Sequence, residues 1–384
     1  MRIRIFHIVA TISFLLLFAC SRSTEDDVLV VKVNISTPEE RSIFDFVDRV
    51  ELIQLENSPE AMLSGARFTV SDNSYYMLDY KSLNIYRFST QGNLITKVRR
   101  AGRGTGEYTM ADDIVFYPQD STIRILNPMG LVYRYSVSEG FRFLDMMVVH
   151  GHLRAVHNFW PLDGGRYLLF SGTEDKDRVF LFKEEQEDLR VLDSSYPAWV
   201  ECSPFCRTTY PFYDFDGKTR YYSSLDGYIS TFNPDSQQLD PYLRWDFGKN
   251  QFEISDINQS DMESKDNARI IEVAKEVRKT KAAPINGICE TNLFILASAY
   301  FRMKYFSVVY EKDSNNVCSF ETTSEGVAFY PEKAVNGDCF SLVTPDKLTS
   351  FVNESVLTDE NSRRVFREIS DDSNMIMIRY HMKR

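Results

Sequence analysis

The chain has 384 residues and carries 44 lysines and arginines against 55 aspartates and glutamates, which gives a formal net charge of −11. An acidic surface repels the phosphates of nucleic acids and the headgroups of anionic membranes. Neither nucleic acid nor an anionic membrane surface is therefore expected as a partner.

Residues 1–19 predict an export signal that belongs to a lipoprotein. Arg2 and Arg4 form a short positive region, and an apolar stretch from Ile8 to Phe18 follows that is too short to span a bilayer comfortably. The next residues complete Leu-Phe-Ala-Cys, which resembles a bacterial lipobox and implies that Cys20 becomes the N-terminus and carries a lipid such as palmitate. The alternative is an ordinary secretory signal with an incidental cysteine.

Residues 20–40 are predicted to form a flexible tether between the lipid and a folded body at 41–384. The segment Ser21–Asp27 is polar and acidic and lacks apolar periodicity. An acidic run at this place resembles the surface-export signal of lipoproteins from anaerobic gut Gram-negative bacteria. The expected location is the bacterial outer membrane, facing either the periplasm or the cell surface, with membrane contact through the lipid alone.

The body repeats one pattern of strand, turn, strand, turn and strand. Corresponding positions Leu78, Ile125 and Leu169 are spaced by 47 and 44 residues, a period typical of four-stranded propeller blades. Six copies can be followed, so the sequence predicts an all-β, six-bladed β-propeller, and the strand at Val50–Leu55 can close the ring beside the C-terminal strands. A pair of β-sandwiches would give no reason for the pattern to recur in register.

The order of these features also resembles a known family. Val50–Glu56, Asp79, Ile85–Phe88 and Gly92 are followed by Gly102–Tyr108. This order is similar to that of the six-bladed propeller lipoproteins of gut Gram-negative bacteria, which are themselves similar to NHL-repeat propellers. The family loop usually reads Gly-x-Gly-Pro-Gly-Glu-Tyr, and Thr105 stands here in place of the proline. The resemblance implies a fold and an envelope location but no ligand.

The glycine-rich loop has two interpretations. Its three alternate glycines resemble a dinucleotide-binding loop, but acidic residues and a strand follow where a helix is needed, so no cofactor is predicted. The glycines can instead supply positive φ in a turn between blades. Alternatively, the loop binds an anionic ligand, and the candidate binding residues are then Arg99, Arg100, Arg103, Glu107 and Tyr108.

Residues 260–281 predict one helix inserted between blades four and five. Ser260 and Glu263 have the spacing of a capping box, and basic residues crowd the end of the segment. An apolar stripe, made of Ile270, Val273, Ala274 and Val277, would face the ring. The helix either covers apolar surface of the ring or lines a partner site.

Metal-binding and disulfide signals are incomplete. Cys202 and Cys206 can close a small loop disulfide or remain free thiols. His150 and His152 lack a further metal ligand at a known spacing, and Asp214-Phe-Asp-Gly217 lacks the later ligands of a calcium loop. No metal site is predicted.

No catalytic motif is found either, since a sialidase Asp-box and a Gly-x-Ser-x-Gly elbow are both missing. The sequence favours a non-catalytic propeller that binds a glycan, a peptide or an envelope protein. Aromatic residues at Tyr210–Tyr213 can stack on a sugar at the mouth of the ring or pack between blades. The alternative function is a polysaccharide lyase or hydrolase that uses acidic residues at the propeller axis.

Overall fold

The computed structural model of the chain describes residues 28–71, 73–149, 153, 155–171, 177–193, 209–224, 226–263 and 266–384. Cys20, His150, His152, Cys202 and Cys206 lie outside these ranges, and so do the export signal and the first part of the tether.

Six antiparallel sheets of successive strands form the blades of a propeller, which confirms the predicted fold. The first strands of blades one and two, two and three, three and four, and five and six contact each other, and the first strands of all six blades line one cavity, so they form the inner wall of the ring. They are β3 (Ala66–Ser71), β7 (Asp113–Tyr117), β11 (Asn158–Leu162), β15 (Phe212–Phe215), β19 (Ala283–Glu290) and β23 (Lys333–Val335).

The other strands complete the blades from the inside outward. Blades one to three add β4 (Ser74–Asp79), β5 (Asn84–Ser89), β6 (Leu94–Arg99), β8 (Thr122–Asn127), β9 (Leu131–Ser136), β10 (Arg142–Val148), β12 (Arg166–Phe170), β13 (Val179–Lys183) and β14 (Asp188–Asp193). Blades four to six add β16 (Lys218–Tyr222), β17 (Tyr228–Asn233), β18 (Gln238–Asp246), β20 (Phe294–Phe301), β21 (Lys304–Glu311), β22 (Asn316–Phe320), β24 (Asp338–Val343) and β25 (Ile376–Met382).

An N-terminal strand, β2 (Val47–Gln54), closes the ring as the outermost strand of blade six. It pairs antiparallel with β25, with Leu52 opposite Ile378. His381 on β25 bridges the two sides of the junction, because its Nε2 lies 2.7 Å from Glu51 and its Nδ1 lies 3.4 Å from Asp338. The first and last strands of the body are thus held in one sheet by backbone pairing and by charge.

The second part of the predicted tether is folded, so the predicted boundary at residue 40 is wrong. Strand β1 (Leu29–Lys32) pairs in parallel with β18 and adds a fifth strand to blade four. Val31, Val33 and Ile35 are buried against blades four and five. Their alternate spacing is the signal of a half-buried strand, which the acidic residues before it obscured in the sequence.

The insertion between blades four and five contains two helices where one was predicted. They are α1 (Gln259–Glu263) and α2 (Asn267–Arg278). Asp266 caps α2 by accepting a hydrogen bond from the backbone N–H of Ala268 at 2.9 Å, which starts a new helix inside the predicted range. At the start of α1, the side chain of Asn258 accepts from the N–H of Ser260, so Ser260 is not the cap.

The predicted apolar stripe of α2 packs on Phe252, Ile257 and Met262. Two further helices, α3 (Leu348–Phe351) and α4 (Glu360–Glu368), lie between β24 and β25. Single 3-10 turns occupy Ile43–Asp45, Glu184–Gln186, Gly248–Asn250, Ile254–Asp256 and Pro345–Lys347. Among the described ranges, no helix has the length and apolar character needed to cross a membrane.

Candidate functional site

The axis of the ring holds a cavity of about 590 Å³, which we call the axial channel. Every inner strand contributes to its wall, since β3, β7, β11, β15, β19 and β23 each supply lining residues. The volume falls within the range of small-molecule sites, and the mixture of aromatic and polar groups is typical of them. The lining residues include Thr69, Phe116, Trp160, Phe212, Ile288 and Lys333.

A second cavity of about 620 Å³, which we call the mouth, lies at the end where the inner strands begin. Arg67 and Asp112 line the mouth, and Tyr210 and Glu332 line both the mouth and the axial channel. These two residues therefore stand between the two cavities.

The segment Thr209–Tyr210 reaches across the axis before it enters blade four. The carbonyl oxygen of Thr209 accepts hydrogen bonds from Arg67 of blade one at 2.7 Å and from Asn158 of blade three at 3.0 Å. The Tyr210 ring packs edge-on against Phe68 of blade one, with ring centroids 6.0 Å apart. This crossing segment divides the open centre of the ring, so it forms a partition between the axial channel and the mouth.

Gly287 on β19 makes room for the partition. A Cβ atom at this position would lie 2.9 Å from the carbonyl oxygen of Glu332 and 3.7 Å from Cβ of Tyr210. Any larger residue would push blade five away from blade six at the axis.

Four ionisable side chains meet beside Tyr210. Arg67 lies 3.6 Å from Asp113, whose carboxylate also accepts from Asn158 at 3.2 Å and from the N–H of Phe159 at 3.3 Å. Burial nevertheless raises the pKa of Asp113, because the desolvation of its carboxylate outweighs these contacts. Arg67 and Asp113 are thus occupied by protein partners.

The other two members of the cluster are Glu332 and Lys333. Burial raises the pKa of Glu332 to about 7 and lowers the pKa of Lys333 to about 8, since both charged forms lose water. Lys333 Nζ lies 4.0 Å from the centroid of the Tyr210 ring, a cation–π contact. Within the described part of the chain, neither side chain makes a hydrogen bond, so both are available to a ligand in the axial channel.

Trp160 is the largest aromatic residue of the channel wall. Its indole N–H donates to Asp214 at 3.1 Å, and Asp214 also accepts from the hydroxyl of Thr219 at 2.7 Å. Burial raises the pKa of Asp214 despite these bonds. The bond to Asp214 fixes the orientation of the indole ring, which remains partly exposed in the channel.

A cavity of about 380 Å³ lies at the other end of the channel and shares Asp214 and Asn336 with it. Glu290 lines this cavity and is the centre of a buried network. Its carboxylate contacts Arg220 at 2.9 Å, Lys312 at 2.8 Å, and the hydroxyls of Tyr213 at 3.0 Å and Tyr242 at 3.1 Å. The contacts with Arg220, Tyr213 and Tyr242 join blade five to blade four, whereas Lys312 belongs to blade five itself, so this carboxylate holds the wall of the channel together.

The glycine-rich loop, Gly102–Tyr108, lies away from the axial channel and connects blades one and two. Glu107 accepts a hydrogen bond from the N–H of Gly104 at 2.9 Å, and Tyr108 is buried against Tyr133. Only Gly106 of the three glycines has positive φ, at +69°. At Gly102, a Cβ would collide with the Glu107 carboxylate, so this glycine permits a close approach.

A groove of about 580 Å³ runs beside this loop. Among the predicted binding residues, Arg103, Glu107 and Tyr108 line it. Arg100 instead stacks on Tyr135 at 5.1 Å and donates to the carbonyl of Phe141, and Arg99 is exposed. Three methionines, Met110, Met129 and Met146, complete the groove.

His157 and the cysteines of the described ranges do not line the axial channel. His157 is bonded to Asp112 at 2.7 Å, and Cys289, Cys318 and Cys339 are buried free thiols. No group of three or more metal-ligating side chains is found among the residues that the structure describes. The sequence reasoning missed the axial cluster, whose four members come from three blades and form no local motif.

Comparisons with known proteins support the fold. Residues 27–381 match a family described as a domain of unknown function, DUF4934, and no curated protein matches the chain. A crystal structure of a candidate exported protein from Bacteroides fragilis is 13% identical, covers 93% of this chain and all of its own, and has a TM-score of 0.68. A member of the DUF4221 family from Bacteroides vulgatus is 8% identical, with 88% and 97% coverage and a TM-score of 0.55. At such identities the likeness extends to the fold alone.

Proposed function

The chain belongs to the DUF4934 family, and from that premise we propose that it is an exported envelope lipoprotein whose propeller binds a glycan in the axial channel without transforming it. The observation that carries the proposal is the wall of the channel, in which all six inner strands surround one cavity. Aromatic faces such as Trp160 suit the apolar C–H faces of sugar rings, and the polar residues Thr69, Ser71 and Asn73 suit their hydroxyl groups.

The state of the axial carboxylates favours binding over hydrolysis. Asp113 and Asp214 are both engaged in hydrogen bonds to protein groups. Glu332 is the acidic residue of the channel wall that has no hydrogen-bond partner within the described ranges. Glycoside hydrolysis needs two cooperating carboxyl groups on either side of the scissile bond. One free carboxyl group can hydrogen-bond to a bound ligand, but it cannot supply the pair that hydrolysis needs.

A glycan screen on the full-length protein in detergent tests this proposal, with calorimetry for binding and product analysis on the same samples. We expect binding without product release, and a loss of about tenfold or more in affinity for Trp160→Ala, which removes a stacking surface. Tyr305→Ala is the matched control, because Tyr305 is an exposed aromatic residue outside the channel. Unchanged affinity in Trp160→Ala would place the ligand elsewhere, and product release would support the lyase or hydrolase alternative.

The envelope location rests on the predicted lipidation of Cys20 and on the exported-protein description of the Bacteroides fragilis structure. Cys20→Ala should move the protein from the membrane fraction to the soluble fraction, because the lipid is the proposed anchor. A variant that stays with the membrane fraction would contradict the lipoprotein proposal.

The groove beside Gly102–Tyr108 is a second candidate position for a ligand. The observation in its favour is that Arg103, Glu107 and Tyr108 line one groove of about 580 Å³. Arg103 is exposed at this groove, where its guanidinium can contact a carboxylate.

A further inference from the structure

We propose that the glycan bound in the axial channel carries a carboxylate, as a hexuronate does, and that the Lys333 ammonium and the Glu332 carboxyl group bind that carboxylate together. This inference rests on the proposed function, since it names the class of ligand for the same channel. The observation behind it is that two consecutive residues, one acidic and one basic, line the same cavity, and their side chains make no hydrogen bond to other described residues.

Lys333 is the cation that a ligand can reach. Its ammonium lies 4.0 Å from the centroid of the Tyr210 ring and 5.5 Å from that of Phe68, so aromatic faces surround it on the protein side. A ring face stabilises a cation but accepts no conventional hydrogen bond, which leaves the three N–H donors for another acceptor. A carboxylate in the channel is the acceptor that would satisfy both the charge and the donors.

Arg67 is less suited to this role. Its guanidinium already donates to Thr209 at 2.7 Å and lies beside Asp113 at 3.6 Å, and it lines the mouth and not the axial channel. Among the residues that the structure describes, an anion in the channel would therefore meet one free cation, which matches the single charge of a carboxylate. Within the same residues, a dianionic phosphate would also face Asp113 and Glu332 without a second free cation.

Glu332 contributes as a hydrogen-bond donor. Because burial raises its pKa to about 7, a large part of the population carries the proton near neutral pH. The protonated carboxyl group can donate its O–H to the ligand carboxylate, whereas the ionised group would repel it. Ligand binding should therefore take up protons at Glu332 and keep Lys333 protonated.

The surrounding charges set the pH range of this effect. The pKa of Lys333 is shifted by four neighbouring groups, which are Asp113 of blade two, Arg67 of blade one, Glu332 of blade six and the Cys289 thiol of blade five. The pKa of Glu332 is also shifted by the charge of Lys347. With pKa values of about 7 for Glu332 and about 8 for Lys333, carboxylate affinity should be highest below pH 7 and fall as the pH rises through 8.

The test is calorimetric titration of the full-length protein with glucuronate, galacturonate and mannuronate trimers and with their uncharged methyl esters. Lys333→Met should weaken binding of the acid by about tenfold to about a hundredfold, the range for one charge-assisted hydrogen bond, and should change ester binding little. Lys333→Arg keeps the charge and should retain part of the affinity. Lys218→Met is the control, because Lys218 is an exposed lysine outside the channel.

Glu332→Gln gives the sharper test, since its expected effect is a gain. An amide replaces a group that is ionised at pH 8, so the acid should bind more tightly to the variant at pH 8, and the part of the pH dependence near pH 7 should disappear. Weaker acid binding in Glu332→Gln at pH 8 would overturn the inference.

The outcomes separate this inference from the function on which it rests. If the esters bind as well as the acids, and Trp160→Ala weakens both while Lys333→Met weakens neither, the channel binds neutral glycans and the carboxylate assignment is wrong. If neither acids nor esters bind, the inference is overturned, and the wider glycan screen then decides whether the proposed function also fails.

Discussion

Glu290→Ala tests whether the buried network at the far end of the channel holds blades four and five together. The Glu290 side chain is fully buried, and Arg220, at 7% exposure, lies 2.9 Å from it. Removal of the carboxylate leaves the Arg220 guanidinium buried without a counter-ion, a change that costs about 3 to 5 kcal/mol. The loss of the counter-ion costs less at Lys312, because its ammonium is more exposed and still donates to the carbonyl of Thr291 at 2.7 Å. We expect a loss of about 3 to 5 kcal/mol in the free energy of unfolding.

Urea unfolding at neutral pH measures this loss as a shift of the midpoint at constant slope. Glu321→Ala is the control, because Glu321 pairs with Lys304 at the similar distance of 2.7 Å while both side chains are about half exposed, and its loss should stay below about 1 kcal/mol. Arg220→Met combined with Glu290→Leu should recover much of the stability, since no buried arginine is then left unpaired. Equal losses in Glu290→Ala and Glu321→Ala would refute the reasoning.

Three further predictions test other parts of the ring. Contacts with Asp338 and Glu51 raise the pKa of His381, so its contribution to stability is fully present below its ordinary value of 6.5 and is lost as pH rises through the higher folded value. In His381→Gln, the melting temperature should no longer show this loss of stability as the pH rises. A pH profile identical to that of the wild type would show that His381 does not contribute to stability in this way. Gly106→Ala should destabilise the protein more than Gly140→Ala, as measured by urea unfolding. Both positions have positive φ, which costs about 1 kcal/mol, but a Cβ at Gly106 would also collide with Phe143 while Gly140 has open space. Arg103→Ala should leave the melting temperature unchanged and Glu107→Ala should lower it, because the N–H of Gly104 loses its acceptor; the opposite order would show that Arg103 holds the loop.

The blades were predictable from the sequence because each strand carries its own signal. Strand β5, for example, buries Ile85, Tyr86 and Phe88, and the same pattern of buried apolar residues returns in β9 of blade two. The ring closure was predictable for a similar reason, since β2 is an apolar strand without a partner near it in sequence. The parallel pairing of β1 was missed because its partner, β18, belongs to a blade far along the chain.

The axial cluster could not be predicted in this way. Arg67, Asp113 and Lys333 lie in blades one, two and six, and they meet only because the ring brings the starts of the inner strands together. The aromatic run at Tyr210–Tyr213 lies at the channel, and its residues have different roles. Tyr210 separates the mouth from the axial channel, whereas Tyr213 is buried and bonded to Glu290. A period-two pattern gives the side of the strand for each residue and not its distance from the axis.

The same geometry explains how a ligand site can be built on a repeat without weakening it. The residues that hold a blade together lie along its middle strands, where Leu78, Ile125 and Leu169 are fully buried. The residues that face the axis lie instead at or near the starts of inner strands, where Lys333 begins β23 and Glu332 immediately precedes it. A change at such a position alters the charge of the channel but leaves the blade core intact. Glu332→Gln should therefore change which ligand binds without lowering the free energy of unfolding at pH 8, because it removes a desolvated charge, whereas Leu78→Ala should lower that free energy by leaving a cavity in the blade core.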